Sequence, residues 1–366
     1  MLFSIEQGDQ ETHLVETWLS RSSGHTLSWT IRPTRSRLMT PGIPPISPND
    51  LARVWRLEAN LTREHFQKLR LILHTPLPRL RSLAANLALE DLRDVMQCAP
   101  ELRELYILDL APGANLASQT LARLEIYDSI PLDMFLSILN NCPLLLSFRL
   151  GRGVRSTNVP NLTPTTFPNL RSLTIGTSLD ALQLVTLPNL VCLEAWTSLN
   201  MNVLHPFLSR SSCAIQELHF RAIFGTAQLK HFSSVQKLGV YVSHATLGYL
   251  LDCLDPDVMF RLPHLRDITV WIETDSPIDF WKIINLLCRR RNAVNMTQLQ
   301  SVLLRAKGRN SRNSSAWWRI PDTVATEIRR VNACGLKLAI WVEFCNLDED
   351  FIFPDGSADA CEEFEL

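Results

Sequence analysis

The sequence predicts an α/β solenoid, a series of short parallel strands each returned to the same sheet edge by a turn or a helix. Three observations predict it. The phrase FPNLRSLTI at 167–175 comes back as LPNLVCLEA at 187–195, a shift of twenty residues. The pattern beneath it, apolar-x-x-apolar-x-apolar, starts again at Leu80, Leu102, Leu121, Leu145, Leu170, Leu190, Ile215, Val235, Leu265 and Leu299, with a weaker start at Val54 and a last strand at Leu336–Ile340. The gaps at Pro131–Leu139, Val203–Leu208, Leu247–Leu254 and Ile278–Leu287 carry apolar residues at helical spacing.

The elements follow in order. Residues 12–21 (THLVETWLSR) read as a short amphipathic helix and 26–31 (TLSWTI) as an alternating strand; together they are expected to cap the open end of the core. Five prolines between 33 and 48 make a loop. In each repeat the period-two part is a strand with one face buried, and the apolar residue three positions earlier plugs the same core from the entering turn. A single unit cannot cover its own apolar face, so stacking is obligatory. Pro78, Pro100, Pro143, Pro168, Pro188 and Pro263 stand two residues before an anchor, where proline stops the preceding element. Spacings from Leu80 are 22, 19, 24, 25, 20, 25, 20, 30 and 34, mostly within or near the roughly 20–29 residues of leucine-rich repeats. The fold expected is therefore a leucine-rich-repeat solenoid, a horseshoe with a parallel concave sheet of about eleven strands and irregular helices on the convex side. Short intervals such as 102–121 and 170–190 leave room for a turn or a 3₁₀ piece. The division expected is 1–50 cap and loop, 51–345 repeats, and 346–366 an acidic tail without periodicity.

Composition narrows the function. Lys plus Arg is 36 and Asp plus Glu is 37, so no global charge draws the chain to nucleic acid or membrane. No apolar run reaches the roughly 20 residues of a membrane span, and the first residues, MLFSIEQGDQE, lack a signal-peptide pattern. A cytoplasmic or nuclear location is expected. Nine cysteines are scattered without a CxxC pair. Cys98, Cys142 and Cys213 stand just upstream of repeat anchors, a place for small buried apolar side chains. No phosphate loop, nucleophile elbow or HExxH occurs, and His205 reads as a helix-surface residue. No enzyme, cofactor or metal is expected.

The phrase LVETWLSRSSGHTLSWTI (14–31), the recurring P-x-L-R-x-L units and the closing IRRVNACGLKLAIWV (328–342) resemble the F-box/leucine-rich-repeat proteins abundant in mushroom-forming fungi. That resemblance implies a substrate-recognition part of a cullin-type ubiquitin ligase, in which an N-terminal F-box docks the ligase adaptor and the repeats hold a protein substrate. No F-box pattern precedes Leu14, so the adaptor is not an expected partner of this chain as it stands. A stand-alone scaffold or inhibitor is the alternative.

The register assigns the candidate binding residues. Positions flanking the buried strand residues face solvent. Those between the strand anchors include Tyr106, Glu125, Arg149, Glu194 and His219; those just after include Tyr127, Trp196, Arg221, Tyr241, Trp271 and Arg305. Aromatic residues and arginine are the types enriched at interface hot spots, although aromatic residues also simply suit strands. These eleven are the expected protein-binding set, with Trp196, Tyr241 and Trp271 exposed along one stripe. A second feature is charge: eight Arg or Lys and no acid from Arg289 to Arg319, and nine acids and no base from Glu343 to Leu366. The basic run could be an ordinary solvated helix end, a short nucleic-acid site without a motif, or a place for the tail to rest.

Overall fold

The computed structural model describes residues 17, 19–22, 25–31, 48–59, 76–85, 89–108, 110, 116–155, 163–176, 178–221, 229, 231–257, 262–274, 278–293, 297–309 and 322–345. The chain forms two compact units, Met1–Asn189 and Leu190–Leu366. Each is a run of α/β leucine-rich repeats.

In the first unit the strands are β1 (Leu27–Ile31), β2 (Val54–Ala59), β3 (Ser82–Ala85), β4 (Glu104–Ile107), β5 (Arg123–Ile126), β6 (Ile130–Pro131), β7 (Ser147–Leu150), β8 (Val154–Arg155), β9 (Thr165–Thr166), β10 (Ser172–Ile175) and β11 (Val185–Thr186). Seven of them are consecutive sheet neighbours in the order β1-β2-β3-β4-β5-β7-β10, every pair parallel. The short strands pair separately and also in parallel, β6 with β8 and β9 with β11. The anchors Val54, Leu80, Leu102, Leu121, Leu145 and Leu170 are at most 3% exposed; each such side chain contributes about 1.5–3 kcal/mol by leaving water. Asn169 donates its amide to the Pro143 carbonyl and Asn189 to that of Pro168, both at 2.8 Å. The repeated Pro-Asn-Leu phrase thus ends one element, ties its turn to the turn before, and plugs the core. Helices α1 (Pro48–Leu51), α2 (Leu89–Cys98) and α3 (Leu132–Asn141) occupy the longer intervals, and a 3₁₀ turn, Asp180–Leu184, fills the short one before Leu190. Arg53 pins the entrance of the unit: its guanidinium donates to the His25 carbonyl at 3.0 Å, to Asp50 at 2.9 Å, and to Ser22.

In the second unit β12 (Cys192–Ala195), β13 (Glu217–Arg221), β14 (Lys237–Ser243), β15 (Asp267–Thr274), β16 (Ser301–Arg309) and β17 (Lys337–Cys345) are parallel neighbours in that order. Helices α4 (Met201–Ser211), α5 (His244–Leu254), α6 (Phe280–Arg291) and α7 (Asp322–Ala333) alternate with them. Helix α5 packs on α6 and α6 on α7; α5 covers β14 and β15, and α7 covers β17. The helix starts are capped: the Asn200 side chain accepts from the Asn202 N–H, that of Asp279 from the Lys282 N–H, and the Thr246 hydroxyl from the Ser243 N–H.

All twelve anchors stand at or just before strands of these two units. The seven and six strands exceed the eleven or so expected because Leu27–Ile31, read as a separate cap strand, lies in parallel register on β2. The four expected helices are α3 to α6. Helices α2 and α7 were not anticipated, although Leu92 and Val95, and Val324, Ile328 and Val331, bury one face of each at helical spacing. Of the expected helix at 12–21, residue 17 and residues 19–21 are helical and the rest lies outside the described residues, as does the 346–366 tail. The basic run is corrected at its start. Arg290 is 1% exposed and donates to the Leu254 and Leu262 carbonyls at 3.1 and 2.5 Å. Arg289 pairs with Asp255 and Asp257, and Arg291 donates to the Cys334 carbonyl. Cations at a helix C-terminus complement its dipole, and here they bind one repeat to its neighbours instead of forming a free patch.

Candidate functional site

The strand alternation that buries Leu193 and Ala195, Leu218 and Phe220, and Leu238, Val240 and Val242 turns the intervening residues to the other face of the second unit's sheet. In parallel in-register pairing, residues of equal rank fall into rows across the strands. Arg221 aligns with Tyr241, Tyr241 with Trp271, Trp271 with Arg305, and Arg305 with Trp341. Trp196 opens the row, immediately after Ala195, which aligns with Phe220. The steps between strands are about 4.8 Å, so the row spans roughly 24 Å.

The rings of this row touch. Tyr241 and Trp271 stack with centroids 4.2 Å apart and planes 5° from parallel; Trp196 meets Tyr241 at 5.0 Å with a 48° tilt. The Arg305 guanidinium lies 5.4 Å from the Trp341 ring centre. Arg221, between the strands of Trp196 and Tyr241, is displaced into solvent and comes 3.9 Å from Glu273. The expectation of exposed rings is met halfway: Trp196, Tyr241, Trp271 and Trp341 are half-buried, the first three against one another and Trp341 beside Arg305.

The row beside it is shaped by small residues. His219 aligns with Gly239, and Gly239 with Thr269. A Cβ on Gly239 would lie 2.9 Å from His219 Cγ and 2.8 Å from Cε1. The glycine makes the berth in which the imidazole lies across its neighbour strand, 6.4 Å from Trp271. Burial holds the His219 pKa below the ordinary histidine range; Glu194 and Glu217 pull it up and Lys237 pushes it down. At neutral pH the ring is an uncharged group that both donates and accepts. The third row is closed on itself: Lys237 pairs with Glu217 at 2.6 Å, which holds its pKa above the usual lysine range, and Ser301 donates to Asp267 at 2.5 Å.

The first unit's share of the expected residues differs in kind. Tyr106 is half-buried, its hydroxyl 3.3 Å from Glu104 and its ring 5.6 Å from the Arg123 guanidinium; burial raises its pKa. Glu125 lies 3.6 Å from Arg149. After Tyr127 the row loses its side chains, because a Cβ on Gly151 would sit 2.5 Å from the Tyr127 carbonyl oxygen and one on Gly176 2.5 Å from that of Gly151. The eleven residues therefore fall into two groups: Tyr106, Glu125, Tyr127 and Arg149 in one unit, and Glu194, Trp196, His219, Arg221, Tyr241, Trp271 and Arg305 in the other. Sequence reasoning missed Trp341 and Glu273. Trp341 follows the strand anchor Ile340 as Trp271 follows Val270, so one more step along the same column finds it. Glu273 lies two residues beyond the column and carries no signal of its own.

Other chemistry is sparse. Burial pushes the Cys142 thiol up to about 11 and the Cys253 thiol up to about 12, which suppresses the reactive thiolate. Among the described residues no group of three His, Cys, Asp or Glu could hold a metal ion, and no helix is long and apolar enough to cross a membrane. His205 is exposed on α4, edge-on to His231 at 4.8 Å.

No protein-family model matches the chain, and no curated protein matches it. A crystal structure of an internalin from Listeria monocytogenes is similar over 72% of this chain and 82% of its own, at 16% identity and a TM-score of 0.27. The repeat assignment rests on the register and burial of the chain itself.

Proposed function

We propose that the protein is a protein-interaction module whose partner rests on the outward face of the second unit's sheet. The observation that supports this reading is the row Trp196, Arg221, Tyr241, Trp271, Arg305 and Trp341, in which rings and guanidinium groups stand together on a face that carries no core duty. Large, rigid side chains contribute contact area at low entropic cost, and Trp, Tyr and Arg dominate interface hot spots. Half-burial fits this role: rings already held by one another lose little freedom when a partner covers them. The charges on this face alternate in sign, which suits a protein partner better than a polyanion.

The finer reading is that the partner is a substrate presented to a cullin-type ubiquitin ligase. It rests on the resemblance to F-box/leucine-rich-repeat proteins alone. Affinity capture with quantitative mass spectrometry tests both levels, run in parallel on the wild-type chain, on Trp196→Ser/Arg221→Glu, and on Glu217→Gln/Lys237→Gln, whose ion pair is internal to the third row. The expected outcome is a partner lost from the first variant and kept by the second. Partners indifferent to the first variant refute the assignment of the face. A captured partner whose cellular lifetime is the same with and without this chain removes the ligase reading and leaves the scaffold.

A further inference from the structure

The first unit carries a second solvent-facing column, at the entrance of the strands and not on their outward face. Backbone hydrogen bonds of 2.8–2.9 Å link Trp55, Arg81, Arg103, Ala122, Leu146 and Arg171 in succession, one residue from each neighbouring repeat. The Leu-Arg step of the repeat phrase places Arg81, Arg103 and Arg171 here, one position after the anchors Leu80, Leu102 and Leu170. All three arginines are exposed, as is Arg123 beside them. Arg81 is paired with Glu101 at 3.2 Å. Arg103 and Arg171 have no ion-pair partner among the described residues.

Apolar side chains interrupt the arginines. Trp55 is 39% exposed, Leu146 43%, and Leu144, two residues before it in the same turn, 51%. Isolated exposed leucines need no explanation, but a tryptophan and two leucines set among guanidinium groups form an amphipathic strip about 24 Å long at the usual strand spacing. The equivalent column of the second unit reads Val191, Gln216, Gln236, Arg266, Gln300 and Lys337, so the feature is not a general consequence of the fold.

We infer that this strip is a docking surface for an acidic protein segment that carries apolar side chains among its carboxylates. The guanidinium groups supply bidentate donors to carboxylates, and Trp55, Leu144 and Leu146 supply apolar contacts that a bare polyanion would leave unused. Glu101 and Glu104 lie among the arginines and oppose a continuous phosphate backbone, which favours a peptide over nucleic acid. The strip lies in the unit that does not carry the aromatic row, and the inference stands independently of the function proposed above.

The test measures fluorescence anisotropy of a labelled peptide of repeated Glu-Glu-Leu triplets on the full chain, beside poly-glutamate of equal length and a single-stranded oligonucleotide of equal charge. Arg103→Glu/Arg171→Glu should weaken the triplet peptide about tenfold or more, as expected when two charge contacts turn repulsive. Leu144→Ser/Leu146→Ser should weaken it about fivefold through lost apolar burial. Arg266→Glu, the same repeat position in the other unit, should leave it unchanged. All substituted residues are exposed, so unchanged melting temperatures confirm intact folds. Absence of binding overturns the inference. So does equal binding of poly-glutamate with no effect of the leucine variant, which would mean charge alone. Tighter binding of the oligonucleotide makes the strip a nucleic-acid surface, and an equal loss in Arg266→Glu shows that the peptide does not bind there.

Discussion

Gly239→Ala is the most discriminating perturbation of the aromatic face. The new methyl would sit 2.8–2.9 Å from His219 Cε1 and Cγ, with Nδ1 closer still, against 3.4–4 Å for an ordinary contact. The imidazole must retreat by roughly 1 Å or swing out about χ1 to restore van der Waals separation. Two terms oppose each other in stability. Alanine in an extended strand lowers the entropy of the unfolded chain and gains about 0.4–1 kcal/mol. Losing the ring contact with Trp271 costs about 0.5–1.5 kcal/mol. The net change is expected within about 1 kcal/mol, while the face itself is rearranged. The readout is His219's own titration by NMR. In the wild type, burial depresses its pKa below the ordinary value; in the variant the pKa rises toward that value as the ring meets water. The sign of the linkage follows. With the folded pKa depressed, the unfolded chain takes up the proton first, so His219's contribution is fully present above pH about 6.5 and is lost as pH falls through the folded pKa. Urea midpoints at neutral and acid pH should therefore differ less in the variant than in the wild type. An unchanged His219 pKa in Gly239→Ala would refute the berth, and with it the argument that the glycine shapes this surface.

Two further outcomes follow from buried and edge groups. The Asn332 side chain both donates to the Leu338 carbonyl at 3.2 Å and accepts from its N–H at 2.7 Å, as a neighbouring strand would; Asn332→Ala should cost about 1–3 kcal/mol and speed amide exchange at Leu338, and unaltered exchange would remove the guarding role. Alkylation at mildly alkaline pH should modify exposed Cys334 well before Cys142 and Cys253, whose thiols burial pushes to about 11 and about 12; mass spectrometry showing equal rates would contradict those protonation states.

Much of this molecule is legible in its sequence because the repeat phrase states its own register. Leu80, Leu102 and Leu170 must face the core, since no other solution covers them, and fixing them fixes every position between. The same logic found Trp196, Tyr241 and Trp271, and one more step would have found Trp341. What was not legible depends on distances across strands. That Gly239 exists to hold His219, that Trp196 reaches Tyr241 past Arg221, and that the rings end half-buried are consequences of side-chain length and of which neighbour is small. Arg290 is illegible for a related reason: three consecutive arginines look like a solvated helix end until the turn of the helix carries the middle one inward to the Leu254 and Leu262 carbonyls.

The two units show how one phrase can build different surfaces. In the first, outward positions are occupied in local pairs such as Glu125 with Arg149, and glycines flatten the row after Tyr127. In the second, the same rank collects rings. Because Tyr241 and Trp271 stack at 4.2 Å and 5°, their facing π surfaces are covered by each other, which raises the share of ring edge in what is left for a partner. Ring edges carry the positive part of the aromatic quadrupole, and indole N–H and phenol O–H groups are carried on those edges. A row built this way is less suited to caging a cation than to meeting carbonyl oxygens, carboxylates or the faces of other rings. The proposed partner should therefore contribute acceptors and aromatic faces at the centre of the contact, with Arg221 and Glu273 closing its rim.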